Sequence, residues 1–400
     1  MRRQSCVACA FVAAMRLFVL AGEPSGDKLG GALLAGLKSI VPDLDVRGVG
    51  GPMMQAQGIE SEFPMDELSV MGIAEVLPKY LNLRKRLHQT ADAVLEWQPD
   101  ALLTIDSPDF SLRLAKLVKA KSSICTIQYV APSVWAWRPK RAGRMAAYVD
   151  HVLALLPFEP PYMEYAGMGC DFVGHPVVGE PVATDDEVRA FRASERIGDA
   201  PLILVLPGSR KSEIARLSAV FGATMESVLA SHASARIVVP AASAVADAVK
   251  GAVASWPGQP IVLDPREGPD AAARKRAAFR AADVALAASG TVSLELAASG
   301  TPMVVAYNMS WLSWQIMSRL AAVDTVTLVN LVSGDRVVPE FLGPACRAPD
   351  IAAALLLLLT DATARDAQKA AMDVTMERLG RDGEGPGLRA AKAVLGVLKG

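Results

Sequence analysis

The chain has 400 residues, too many for one ordinary hydrophobic core and enough for two domains of roughly 150–200 residues each. Its 41 lysines and arginines balance 42 aspartates and glutamates, a near-neutral sum that gives no sign of a nucleic-acid partner. The composition is 52% hydrophobic with a mean hydropathy of +0.28, yet the longest uncharged apolar runs, such as IAAALLLLL at 351–359, fall short of the ~20 residues a membrane span needs, so a soluble or membrane-surface protein is expected.

In chain order, MRRQSCVACAFVAAM at 1–15 imitates a secretory signal, with two arginines, an apolar stretch and small residues. Met15 stands directly before RLFVLAG, where a first strand is expected, so residues 1–14 are read as an extension ahead of the true start and the chain as cytoplasmic. The five cysteines (Cys6, Cys9, Cys125, Cys170, Cys346) are scattered and odd in number, which suits a reducing compartment. Cys6 and Cys9 form a lone CxxC, and no second pair or histidine cluster completes a zinc site.

RLFVLAG, DVRGVGG, ALLTIDS, SICTIQYV and HVLALLP, between 16 and 157, read as buried strands separated by Ala-rich helical stretches. After a polar stretch near 180–200 the pattern restarts with LILVLPGS, RIVVPAAS, IVLDP, VALAASG and PMVVAYN, between 202 and 308. Such alternation makes parallel sheets covered on both faces. An α/β fold of two Rossmann-like domains is expected, over 15–180 and 181–370, with a helical segment at 371–400 packing back on the first. Ligands of such sheets bind beyond the carboxyl ends of the strands.

The first strand runs into GEPSGDKLGG, which is neither a Walker A loop nor a GxGxxG fingerprint. Ser25–Asp27 would open a helix whose N–H groups could face an anion. Glu23 and Asp27, however, add negative charge where a bare phosphate needs positive, so the loop suits a polyhydroxylated ligand. Asp27 could equally cap the helix.

Further on, VMGIAEVLPKYLNLRKRLH at 70–88 sets Met71, Ile73, Val76, Leu77, Tyr80, Leu81 and Leu83 beside Lys79, Arg84, Lys85 and Arg86. Apolar residues with flanking bases suit an interfacial segment that dips among acyl chains; a helix packed on the core is the competing reading. In ALLTIDSPDF, Asp106 sits where a strand stops and is the candidate general base, with Asp109 second. Pro108 is expected to keep the following residues out of a helix. Asp43 and Asp45 resemble a metal-binding pair but precede their strand, on the side away from the ligand crevice.

In LILVLPGSRKSEI, Ser209 is expected to cap a helix and Arg210 to offer a guanidinium to a diphosphate. The SGT turn of Ser289, Gly290 and Thr291 opens another helix toward an anion, and Glu295, about one turn in, could accept both hydroxyls of a ribose. Asn330, in TLVNLVSGD, could reach a base or phosphate or simply hold a turn.

GEPSGD, GVGGPMMQAQG, SVMGIAEVL, DSPDF, YVAPSVWAWRPKR, LPFE, FVGHP, LPGSRKSEI, SGTVSLE, PMVVAY and NLVSG with its later VPE follow one another from Met15 to Phe341. This series resembles the lipid-A-disaccharide synthases, and PSVWAWR and LPGSRxxEI are its most specific parts. The resemblance implies a GT-B fold, with two Rossmann-like domains facing across a cleft, and an inverting glycosyltransferase. It would join UDP-2,3-diacylglucosamine to 2,3-diacylglucosamine 1-phosphate at the inner membrane, giving a β(1→6) disaccharide and UDP. It also implies Asp106 as base, Glu23 and Ser25 as site residues of the first loop, and Arg210, Glu295 and Asn330 as donor contacts, with no metal or other cofactor. Two positions depart from the family pattern: Gly343 stands where a glutamine is common, and Asn308 where an arginine often lies. A GT-B UDP-GlcNAc epimerase or peptidoglycan GlcNAc transferase, or a periplasmic sugar-binding protein, remain alternatives, and PSVWAWR speaks against them.

Overall fold

The computed structural model describes residues 14–68, 73–137 and 140–399, without the side chains of 73–79 and of residue 312. Residues 1–13 of the expected extension lie outside the described residues. The chain divides into two compact units, one running to Pro176 and completed by Glu384–Gly400, the other Val177–Gly383.

The first unit is built on β1 (Met15–Ala21), α1 (Pro24–Ile40), β2 (Leu44–Val49), α2 (Pro52–Gln55), α3 (Ile73–Trp97) and β3 (Ala101–Ile105). It continues with α4 (Pro108–Lys119), β4 (Cys125–Tyr129), α5 (Lys140–Met145), β5 (His151–Ala154), α6 (Pro160–Tyr165) and β6 (Gly169–Phe172). Its six strands lie in the order β2-β1-β3-β4-β5-β6, and every neighbouring pair is parallel. Leu17 to Ala21 of β1 and all of Leu102, Leu103 and Ile105 of β3 are fully buried, as strands covered on both faces must be. Leu33, Leu34 and Leu37, at helical spacing on α1, close one side of that core.

The second unit carries α7 (Asp185–Ser194), β7 (Leu202–Leu206), α8 (Lys211–Ser231), β8 (Arg236–Pro240), α9 (Ala246–Val253) and β9 (Ile261–Leu263). There follow α10 (Ala271–Ala281), β10 (Val284–Ala287), α11 (Val292–Ala298), β11 (Met303–Tyr307), α12 (Trp311–Leu320) and α13 (Leu328–Ser333). The unit ends with β12 (Glu340–Leu342), α14 (Ala348–Thr360) and α15 (Ala362–Arg378). The strand order is β12-β11-β10-β7-β8-β9, again parallel throughout. The leucine-rich run at 351–359 is α14, whose Ile351, Leu355 and Leu358 are buried in this core.

All ten expected strands form. Two more, β6 and β12, were absent from the sequence reading. Both sit at sheet edges and are only partly buried, so they lack the continuous apolar run of a central strand. The expected segment at 371–400 is divided: α15 belongs to the second unit, and only the last helix, α16 (Pro386–Lys399), returns to the first. There α16 lies along α1, and Arg389 donates to the carbonyl of Phe172 at 3.0 Å.

Candidate functional site

In the first unit the chemistry gathers at the carboxyl ends of β1 and β3. β3 ends in two consecutive non-glycine residues with left-handed backbones, Asp106 (φ 52) and Ser107 (φ 43). Such conformations cost of order 1–3 kcal/mol each and persist where the surroundings over-determine them. Here the Asp106 N–H donates to the Tyr129 carbonyl at 2.9 Å, and the Asp106 carbonyl accepts from the Ser111 hydroxyl at 2.8 Å and the Gln128 amide at 3.4 Å. Gln128 is fully buried; its amide nitrogen also reaches the Tyr129 and Val130 carbonyls, and its oxygen accepts from Thr104 at 2.7 Å. Gln128 thus fastens the turns at the ends of β3 and β4 to each other. Gly22 completes the arrangement, because a Cβ there would lie 2.7 Å from the Ser107 hydroxyl oxygen.

The Asp106 carboxylate faces the first loop, where the Ser25 hydroxyl donates to its Oδ2 at 3.5 Å. Burial raises its pKa, and the Ser107 N–H and the Ser25 hydroxyl pull it only partly back. A carboxylate held above its ordinary range and one hydroxyl away from solvent is suited to take a proton from a substrate alcohol. Glu23 occupies the N-cap position of α1, is half-buried, and makes no capping bond with its side chain.

Three neighbouring expectations are corrected. Asp27 is buried and its carboxylate is used within the unit: it accepts from the N–H groups of Gly51, Met53 and Met54, each at 2.9 Å, and so caps α2 rather than its own helix. Pro108 does not keep the chain out of a helix but opens α4 at the first position, where its missing N–H is no loss. Asp109 lies in the first turn of α4 with its carboxylate almost wholly exposed, 3.8 Å from Arg141.

The PSVWAW and LPFE segments meet in the same unit. The Trp135 indole N–H donates to Glu159 Oε1 at 3.1 Å, the Leu156 N–H donates to Oε2 at 3.0 Å, and the Trp135 ring stands edge-on to Phe158. Burial pushes Glu159 up to about 7 despite these donors. Neither Gln128 nor Glu159 was singled out from the sequence. A visible signal existed for the first, a glutamine and two threonines inside otherwise apolar strands.

In the second unit Arg210 stands at the carboxyl end of β7, at the N-cap position of α8, and is more than half exposed. The organiser of this turn is Glu213, which the sequence reading passed over. Its carboxylate accepts from the N–H groups of Ser209 (3.0 Å) and Arg210 (3.3 Å), pairs with the Arg210 guanidinium at 3.4 Å, and bonds the Tyr307 hydroxyl at the end of β11. Ser209 therefore does not cap α8; its backbone is tied to Glu213 instead. Ser289, Gly290 and Thr291 form the turn into α11, with Thr291 as N-cap. Glu295 follows in the first turn, and Lys275 of α10, 20 residues earlier in the chain, holds its carboxylate at 2.7 Å. Asn330 is buried, and both ends of its amide are used: its nitrogen donates to Val338 O (3.0 Å) and Thr325 Oγ1 (3.3 Å), and its oxygen accepts from Val338 N (3.1 Å). It braces the 325–338 turn and does not present its side chain to a ligand. Gly343, one of the two departures, has φ +54 and lies under the Trp314 ring, where a Cβ would come within 2.4 Å; no side chain fits there.

The segment at 70–88 enters α3. Tyr80 is 46% and Leu81 76% exposed, and Arg84 and Lys85 are exposed as well. Leu83 turns inward against the core, and Arg86 is bound by Glu67 at 2.7 Å. The side chains of Val76 and Leu77 lie outside those described. Among the described residues no helix is long and apolar enough to cross a membrane, and no group of His, Cys, Asp or Glu could hold a metal ion.

Two parallel six-stranded sheets, each with its polar residues gathered at the strand ends, define a GT-B-class α/β fold. A solved structure of UDP-GlcNAc 2-epimerase from Neisseria meningitidis bound to UDP-GlcNAc superposes with a TM-score of 0.59 over 96% of this chain and 99% of its own, at 12% identity, a likeness of fold. A family model described as Lipid-A-disaccharide synthetase matches residues 17–384. The chain is 60% identical to the lipid-A-disaccharide synthase of Ruegeria pomeroyi over 98% of each chain, and 44% identical to that of Rhodospirillum centenum over 96% of this chain and 94% of the relative. The chain belongs to the lipid-A-disaccharide synthase family.

Proposed function

We propose that this chain joins UDP-2,3-diacylglucosamine to 2,3-diacylglucosamine 1-phosphate, giving the β(1→6) disaccharide 1-phosphate and UDP. The observation that carries the reading is the desolvated Asp106 carboxylate on its strained turn, in hydrogen-bond contact with Ser25. Asp106 takes the proton of the acceptor 6-hydroxyl as that oxygen attacks the anomeric carbon. The bond to UDP breaks on the opposite face, so an α-linked donor yields a β product in one displacement. Glu23 and Ser25 accept from and donate to sugar hydroxyls, which explains why a loop at a helix start carries acid rather than base. Arg210 takes up the charge growing on the departing diphosphate, helped by the Ser289–Thr291 turn, while Glu295 exchanges Lys275 for the ribose hydroxyls.

The acyl chains of both substrates place the work at a bilayer, the cytoplasmic face of the inner membrane. The exposed Tyr80, Leu81, Arg84 and Lys85 of α3 support that placement: apolar groups with adjacent bases suit an anionic interface. Incubating the purified chain with the two lipid sugars in detergent should yield a product with the mass of the disaccharide 1-phosphate and one equivalent of UDP. Absence of that product, or release of UDP without it, overturns the reading.

A further inference from the structure

Between α5 and α6 the first unit carries an open groove of about 780 Å3. That volume lies within the roughly 300–1,000 Å3 of small-molecule sites. Its lining combines small residues, Ala142, Gly143 and Ala166, with Tyr162 and Tyr165, and among the described residues Lys140 is the one charged member. Tyr165 is 96% exposed and Tyr162 44%, so two aromatic rings of an apolar trough stand in solvent. A trough of this make-up offers contact area and almost no hydrogen bonds, which selects for a hydrocarbon chain over a sugar or nucleotide. The bases lie on the α5 side: α5, KRAGRM, carries Lys140, Arg141 and Arg144 and no acid, while α6 carries the exposed Glu164. Arg141 also reaches toward Asp109, three residues past Asp106, at 3.8 Å, so α5 approaches the first turn of α4.

We propose that the α5–α6 groove holds an acyl chain of the acceptor, with the bases of α5 beside its 1-phosphate. This rests on the reaction proposed above. Of the lipids the reaction involves, the acceptor combines an alkyl chain with a compact anionic group and brings its hydroxyl to Asp106, and α5, which lines the groove, approaches the first turn of α4 just past that residue.

Gly143 supplies the test. A Cβ at this helical position meets no atom within 4 Å, so Gly143→Leu projects into the groove and leaves the core intact, and leucine is the better helix former. With acceptors in detergent micelles, Gly143→Leu should raise KM for a long-chain acceptor roughly tenfold, the equivalent of about two methylene groups left unburied. KM for a short-chain, water-soluble acceptor of the same headgroup should stay unchanged, as should UDP affinity. Tyr165→Ser should act in the same direction with a smaller shift. Equal shifts for the two acceptors, or none, overturn the proposal. Loss of binding to phosphatidylglycerol-containing vesicles with the detergent KM intact also overturns it, because the groove would then seat bilayer lipid. If the wild-type chain makes no disaccharide from either acceptor, the reaction is wrong, and the groove is still read directly: a diazirine at the end of the acceptor's chain should label the peptide holding α6, and labelling elsewhere removes the groove from the binding site.

Discussion

The two units treat the carboxylates beyond their strand ends in opposite ways. In the first, Asp106 and Glu159 are taken out of water with only hydroxyl, amide and indole donors for company, and burial raises both pKa values. In the second, acids are met by cations: Glu295 by Lys275, Glu213 by Arg210, and the buried Asp264 by Arg266 and Lys250, which hold it well below the usual carboxylate range. Desolvation without a counter-charge stores basicity, which a proton-abstracting residue needs. Pairing keeps a charged loop satisfied until an anion of higher charge density displaces the partner, which a diphosphate site needs. Exposed pairs of the second kind are worth little to stability, so exchanging them for a ligand is cheap.

The contrast is broken most severely at Asp106. Asp106→Asn should reduce turnover by roughly 10²–10⁴-fold with the fold unchanged. In the wild-type chain the rate should fall as pH drops through the raised pKa of this residue, and the variant's residual activity should lack that acid limb. Near-normal turnover in the variant would move the base elsewhere and remove the functional meaning of the strained turn.

Glu159 tests whether desolvation in the first unit has the expected sign. Its pKa rises from 4.5 to about 7, so the folded chain favours the neutral acid. The stability this confers is fully present below pH 4.5 and is lost as pH rises to about 7, a difference of about 3 kcal/mol. Melting temperature should therefore decline across that window in the wild-type chain and decline less in Glu159→Gln. Parallel curves would show that the titration belongs to another group.

The smallest change is expected in the paired unit. Arg210→Ala removes one charge-assisted contact at a half-exposed position and should weaken UDP binding roughly tenfold, by calorimetry, with a matching loss of rate. Activity should survive a chelator. Unaltered UDP affinity in the variant would mean that the guanidinium serves Glu213 alone.

Much of this molecule is legible along the chain. Apolar runs of four to six residues between helical stretches are a local pattern, and they mark ten of the twelve strands among the described residues and both Rossmann-like sheets. The rule that ligands lie beyond strand ends then directs attention to GEPSGD, DSPDF, GSRKSEI and SGTVSLE. The edge strands β6 and β12 escape because they are half-exposed and carry no such run.

Partners decided the rest, and a partner is a tertiary fact. Asp27 looks like a ligand or a cap of its own helix and turns out to cap α2, 24 to 27 residues further on. Asn330 ends a conspicuous apolar run, yet its amide is spent on the turn that carries Val338. Gln128 and Thr104 are unremarked polar residues in two strands until those strands lie side by side and their hydrogen bonds hold the Asp106 turn. Gly343 stands opposite Trp314, 29 residues earlier in the chain, and no spacing rule reports that contact. Periodicity records which face of an element avoids water, because burial acts on every residue of the face at once. Which polar group meets which depends on where the elements are brought together, and only the folded chain fixes that.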